Sequence, residues 1–160
     1  MQRFAFLVLI SVAASGTTAA GKELSAALVA AAPAADPIAV AQAVQAMQCA
    51  GQPDGDPVSR LVLIDYSRPS TAPRLWVFDL ATRTLSREER VAHGQGSGDN
   101  HATRFSNDPG SHQTSLGLFR TRDTYIGRNG YSLRLEGLDP GVNDRAMQRA
   151  IVMHGAPYVS

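Results

Sequence analysis

From Arg60 onward the apolar residues come in short runs rich in branched and aromatic side chains, each closed by turn formers, and this period restricts the fold more than any other feature. Leu61-Val62-Leu63-Ile64 and Leu75-Trp76-Val77-Phe78 are bounded by Ser, Pro and Thr, as β-strands are. Asp79-Leu80-Ala81-Thr82 reads as a turn into a third strand near residues 84–91. After a long polar loop, Leu116-Gly117-Leu118-Phe119 resumes strand character. Asn129-Gly130 then stands between Thr124-Tyr125-Ile126 and Ser132-Leu133-Arg134-Leu135, a hairpin signal because Asn and Gly tolerate the left-handed turn. Residues 142–149 suit a short helix, and residues 150–154 a last strand. About seven strands with only short helices predict a mainly β fold, a sandwich or partly open barrel.

The N-terminal third is built differently. Residues 22–35 are Ala-rich and weakly helical, and Asp36-Pro37 supplies an N-cap and a first-turn proline for a helix running to about Ala50. Gly51-Gln52-Pro53-Asp54-Gly55-Asp56-Pro57 ends it as a linker. Cys49, the one cysteine, can form no internal disulfide. Beside Met47 and Ala50 it is predicted to be a buried small hydrophobe. Arg3 precedes an almost unbroken apolar run over residues 4–14, too short to span a bilayer. With small residues following and Thr18-Ala19-Ala20 before Gly21, it reads as a signal peptide. The expected division is a leader at 1–20, a helical segment and linker at 21–57, and one mainly β domain at 58–160. The expected location is the periplasm or the medium, with no stable membrane insertion once the leader is gone.

Fifteen Lys and Arg against fourteen Asp and Glu leave a net charge of +1, and the basic residues are scattered, which excludes nucleic acid as the expected partner. Three of the four His (His93, His101 and His112) share one polar loop with Asp99 and Asp108. Their wide spacings fit no zinc pattern, and no His-Glu-x-x-His occurs. Ser111-His112 partly matches a zinc D-Ala-D-Ala carboxypeptidase pattern, but the place of its Asp is taken by Phe119. No metal or other cofactor is expected. His93-Gly94-Gln95-Gly96-Ser97-Gly98 lacks the Lys-Ser/Thr of a phosphate-binding loop. Ser111, Asp144 and His154 could be written as a hydrolase triad, yet no Gly-x-Ser-x-Gly elbow accompanies them.

The strongest chemical signal is Ile151-Val152-Met153-His154-Gly155. A strand that ends in His fixes an imidazole, and the following Gly lets a substrate approach. Together with Ile64-Asp65-Tyr66-Ser67-Arg68-Pro69-Ser70, Arg74-Leu75-Trp76-Val77-Phe78-Asp79-Leu80, Val91-Ala92-His93-Gly94, Ala102-Thr103-Arg104-Phe105-Ser106-Asn107, Ser115-Leu116-Gly117 and Ser132-Leu133-Arg134-Leu135-Glu136-Gly137-Leu138, this run closely resembles the murein L,D-transpeptidase catalytic domain family related to YkuD. The resemblance implies cysteine acyl transfer on peptidoglycan stem peptides. It implies His154 as the catalytic His, and Gly155, Ser115 and Gly117 at the substrate, with Ser115-Leu116 replacing the family's Thr-Pro. The family's nucleophile lies in a Ser-x-Gly-Cys-Pro-like segment after the His-Gly pair, which this sequence does not contain, and Cys49 precedes the whole resembling region, roughly Arg60 to Ser160. The chain is therefore expected to be a fragment or truncated product, inactive as written. A non-catalytic wall-binding module is the alternative, and a zinc D,D-peptidase a third.

Overall fold

A computed structural model describes residues 4–8, 18–50 and 58–159. Among these described residues seven strands form one sheet: β1 (Phe4–Val8), β2 (Arg60–Ile64), β3 (Leu75–Asp79), β4 (Thr84–Glu89), β5 (Gly117–Gly127), β6 (Gly130–Gly137) and β7 (Val152–His154). Their order across the sheet is β4-β3-β2-β1-β5-β6-β7. All neighbours are antiparallel except β1 and β2, which run parallel from Phe4↔Arg60 to Val8↔Ile64. Parallel neighbours need a crossover connection. Here the two helices α1 (Ala19–Ala31) and α2 (Pro37–Ala50) lie in that crossover.

The side-chain alternation of the strands divides the core in two. Leu61 and Leu63 of β2, Trp76 and Phe78 of β3 and Leu118 of β5 pack with Leu28 of α1 and with Val40, Ala43 and Val44 of α2. The intervening residues Val62, Ile64, Leu75 and Phe119 face the other way and meet Tyr66, Leu135 and Ala146. Ile151 and Met153 pack on this second cluster, as do Val91, Ala102 and Phe105 from the long loop. Because β2 is covered on both faces, it is a continuous apolar run and not an alternating one.

The mainly β character agrees with the sequence, but the strands make one sheet with helices on one face, so the helical segment shares a core with the strands. Asp36 caps α2 as expected, its Oδ1 accepting from the N–H groups of Ile38 at 2.7 Å and Ala39 at 3.1 Å. The third strand is there, entered through a turn in which Asp79 Oδ1 accepts from Thr82 N–H at 3.0 Å. The predicted runs 116–119 and 124–126 belong to one long β5, whose pairing with β6 shifts between Thr121 and Thr124. Its hairpin closes at Gly127↔Gly130, so Arg128-Asn129 forms the turn and Gly130 alone takes positive φ, at +78°.

Three expectations need correction or fall elsewhere. Residues 142–149 form successive turns in place of a regular helix. Isolated bonds such as Ala146 N–H to Asn143 O and Arg149 N–H to Arg145 O hold them, and Asn143 spends its side chain on β5. Cys49 is exposed. The buried stripe of α2 is Val40, Ala43 and Val44, and nine residues past Val40, at about 100° each, point Cys49 to the opposite side. The apolar segment expected to be a leader contributes β1 through Phe4–Val8, whereas the rest of it and the linker 51–57 lie outside the described residues. Among the described residues no helix is long and apolar enough to cross a membrane.

Candidate active site

His154 is the last residue of β7, which pairs with β6 only and forms one edge of the sheet. Two contacts deliver it there. Ala150 takes a left-handed conformation at φ +55°, ending the turns of 142–149. Ile151 then donates to Ala146 O at 2.9 Å and accepts from Leu135 N–H at 3.2 Å. Ile151 and Met153 turn inward to the core, so the period of two puts His154 on the outer side, opposite Ser132.

The imidazole is half-buried and its two nitrogens differ. Nδ1 lies 2.9 Å from the carbonyl oxygen of Gly155, which can only accept, so Nδ1 carries the proton. In the neutral ring Nε2 is then the basic nitrogen, and its neighbour is the side-chain amide of Asn129 from the β5–β6 turn, at 3.4 Å. A Cβ added to Gly155 would meet nothing within 4 Å, so the side next to the base is open.

The other two residues named from the sequence lie apart from His154, at the start of β5 with β6 between. The Ser115 side chain is buried; its hydroxyl donates to Ser106 O at 2.9 Å and accepts from Arg149. Gly117 has φ +104°, and a side chain there would collide with Asp139 and Asn143. Asp139 Oδ2 accepts from Leu118 N–H at 2.7 Å, and buried Asn143 donates to the carbonyls of Leu116 at 2.9 Å and Leu118 at 3.0 Å. This lock fixes how β5 begins.

Two arginine clamps were not anticipated. Arg149 reaches across the long loop to Ser106 O and Gln113 O, both at 2.6 Å, and to Ser111 Oγ at 3.1 Å. Arg74 is fully buried. It gives Nε and Nη2 to Val91 O at 2.9 and 2.7 Å and Nη1 to Arg68 O at 2.8 Å, and it lies 4.9 Å from the Tyr66 ring centre. Burial lowers its pKa, against the opposing pull of Tyr66 and Asp65, and burial likewise raises that of the Tyr66 phenol. Arg74 Nη2 also donates to His93 Nδ1 at 2.9 Å, leaving His93 Nε2 to donate to Gly98 O at 3.0 Å. With both nitrogens engaged, His93 has no lone pair for a metal. His101 and His112 are exposed. Among the described residues no three His, Cys, Asp or Glu converge as metal ligands.

The strand thus holds an imidazole with its Nδ1 proton on the Gly155 carbonyl and its Nε2 against the Asn129 side-chain amide, next to an open glycine. The chain belongs to the L,D-transpeptidase catalytic domain family, whose model matches residues 31–160. No curated protein and no solved structure matches it.

Proposed function

We propose that the chain is an exported peptidoglycan L,D-transpeptidase-like protein in which His154 is the general base. In the reaction a cysteine thiol loses its proton to Nε2, and the thiolate attacks the carbonyl of a stem-peptide bond. The protonated imidazole then gives that proton to the leaving amine, and water or a second stem's amine releases the thioester. The observation that carries the reading is the pair of His154 contacts: Nδ1–H on Gly155 O at 2.9 Å, and Nε2 left as the acceptor nitrogen, held only by a long 3.4 Å contact from the Asn129 amide that a thiol would displace. Since the Ser115 hydroxyl is already committed, any substrate contact from 115–117 falls to the backbone. Export is supported by Arg3, the apolar run after it and the small residues before Gly21.

The sequence's one cysteine, Cys49, lies on α2, which packs on β1 and β2 away from β7. Cys49 is therefore not the thiol that His154 would serve, and a wall-binding module without catalysis is the second reading. Both are tested together. The chain alone should form no thioester with a stem-peptide donor or a carbapenem, whereas the chain continued through a Ser-x-Gly-Cys segment should acylate on the new cysteine. There His154→Ala should slow acylation by roughly a hundredfold to ten-thousandfold, with circular dichroism unchanged. Equal acylation without His154 would remove it from the mechanism. Retention of the unextended chain on isolated peptidoglycan would support the binding module.

A further inference from the structure

We propose that the middle of the sheet is a strand slot and that the N-terminal segment Phe4–Val8 is its occupant, a structural latch in any chain that folds with it attached. The proposal does not rest on the acyl-transfer reading. Among the described residues β1 is the only link between β2 and β5. It pairs with β2 over five positions and with β5 over four, from Ala5↔Arg120 to Val8↔Gly117. Without it the remaining strands are two three-stranded antiparallel sheets, β4-β3-β2 and β5-β6-β7. Their facing edges stand two strand spacings apart, about 9.5 Å. That is too far for a direct N–H···O bond and wide enough for one extended chain.

The slot also specifies what can fill it. Its walls are buried on both faces: Leu61, Leu63 and Leu118 lie toward the helices, and Val62, Ile64 and Phe119 lie toward the second cluster. A strand buried on both faces must be a continuous apolar run without charge. Phe4-Ala5-Phe6-Leu7-Val8 is such a run, with the aromatic and branched residues strands prefer. Composition that suits an export leader therefore also suits a central strand.

The same fold holds the bond after Ala20, where the expected leader would end, in helical structure, although residues 18–20 are themselves exposed. Ala20–Gly21 lies in the first turn of α1, where Thr18 caps the helix through Gly21 N–H at 3.1 Å and Gly21 is buried. Proteases need an exposed, flexible segment. In a cell that exports this chain, leader removal must precede folding, and a chain that folds first keeps β1.

The test uses the full chain with a sequence-specific protease site placed within residues 9–17. After cutting under native conditions, the N-terminal fragment should co-elute with the body and separate only in denaturant. In a second arm, Leu7→Pro removes a backbone N–H from the central strand. Amide protection at residues 61–64 and 117–120 should then fall by about a hundredfold, with Leu7→Ile near the parent. The cutting arm stands even where the proline variant does not fold. A fragment that leaves at once under native conditions, or a Leu7→Pro chain with unchanged protection on both strands, would overturn the proposal.

Discussion

His93-Gly94 and His154-Gly155 are the same dipeptide in opposite surroundings. The first is walled in: Arg74 and Gly98 O take both ring nitrogens of His93, and a Cβ on Gly94 would run into the backbone at His112 and Thr114. At the second, the ring nitrogens of His154 have weaker partners, its own following carbonyl at 2.9 Å and the Asn129 amide at 3.4 Å, and nothing stands near the glycine. One pair holds a loop in place, and the other is the pair proposed to meet a substrate. Chemistry follows from what surrounds a histidine, and the dipeptide alone does not reveal it.

The glycines should separate the two sites most. Gly94→Ala forces a methyl into fixed backbone and should cost about 3 kcal/mol. Gly155→Ala enters open space and should be neutral, or stabilising by up to about 1 kcal/mol through the unfolded chain. Urea unfolding followed by Trp76, the sole and fully buried tryptophan, measures both. Equal costs would erase the contrast. The histidines come next. His93→Ala leaves Gly98 O without its imidazole donor and Arg74 without one acceptor, a loss of about 2 kcal/mol. His154→Ala should change stability by no more than about 0.5 kcal/mol. A large loss at His154 would make it a structural residue.

How much of this could be read in advance depended on range. β2, β3 and the β5–β6 hairpin announce themselves through contiguous apolar residues and local turn chemistry, and Asp36 caps α2 within its own turn. The strand that ends at His154 was legible because an apolar run and a Gly mark it. The Arg74 and Arg149 clamps were not, since each joins segments up to 43 residues apart through backbone carbonyls that every residue owns. The side of α2 on which Cys49 falls was equally hidden: Ala fills both faces, so composition draws no stripe. The place of Phe4–Val8 in the sheet escaped for a different reason, because a leader and a central strand can have the same composition.

The smallest effect probes how the segment before His154 is tied down. Asp144, in the turns that lead into β7, accepts from Asn107 Nδ2 at 2.6 Å, and the Arg145 backbone N–H donates to Asn107 Oδ1 at 3.2 Å. The Asn107 amide, ahead of the Gly141 N–H, holds the Asp144 carboxyl below its ordinary pKa of about 3.9. A group with a lowered folded pKa adds stability that is present above its unfolded value and disappears as pH falls through the folded one. The tie should therefore be intact at pH 6 and lost progressively below about pH 4. Asp144→Ala should lower the urea midpoint slightly at pH 6, and the gap to the parent chain should close as the pH falls through the lowered folded pKa. Because the group is exposed, the difference should be small. A gap that stays constant across that range would assign the turn's order to backbone bonds such as Ile151 N–H to Ala146 O. His154 would then be positioned by the chain's own turns and by no carboxylate.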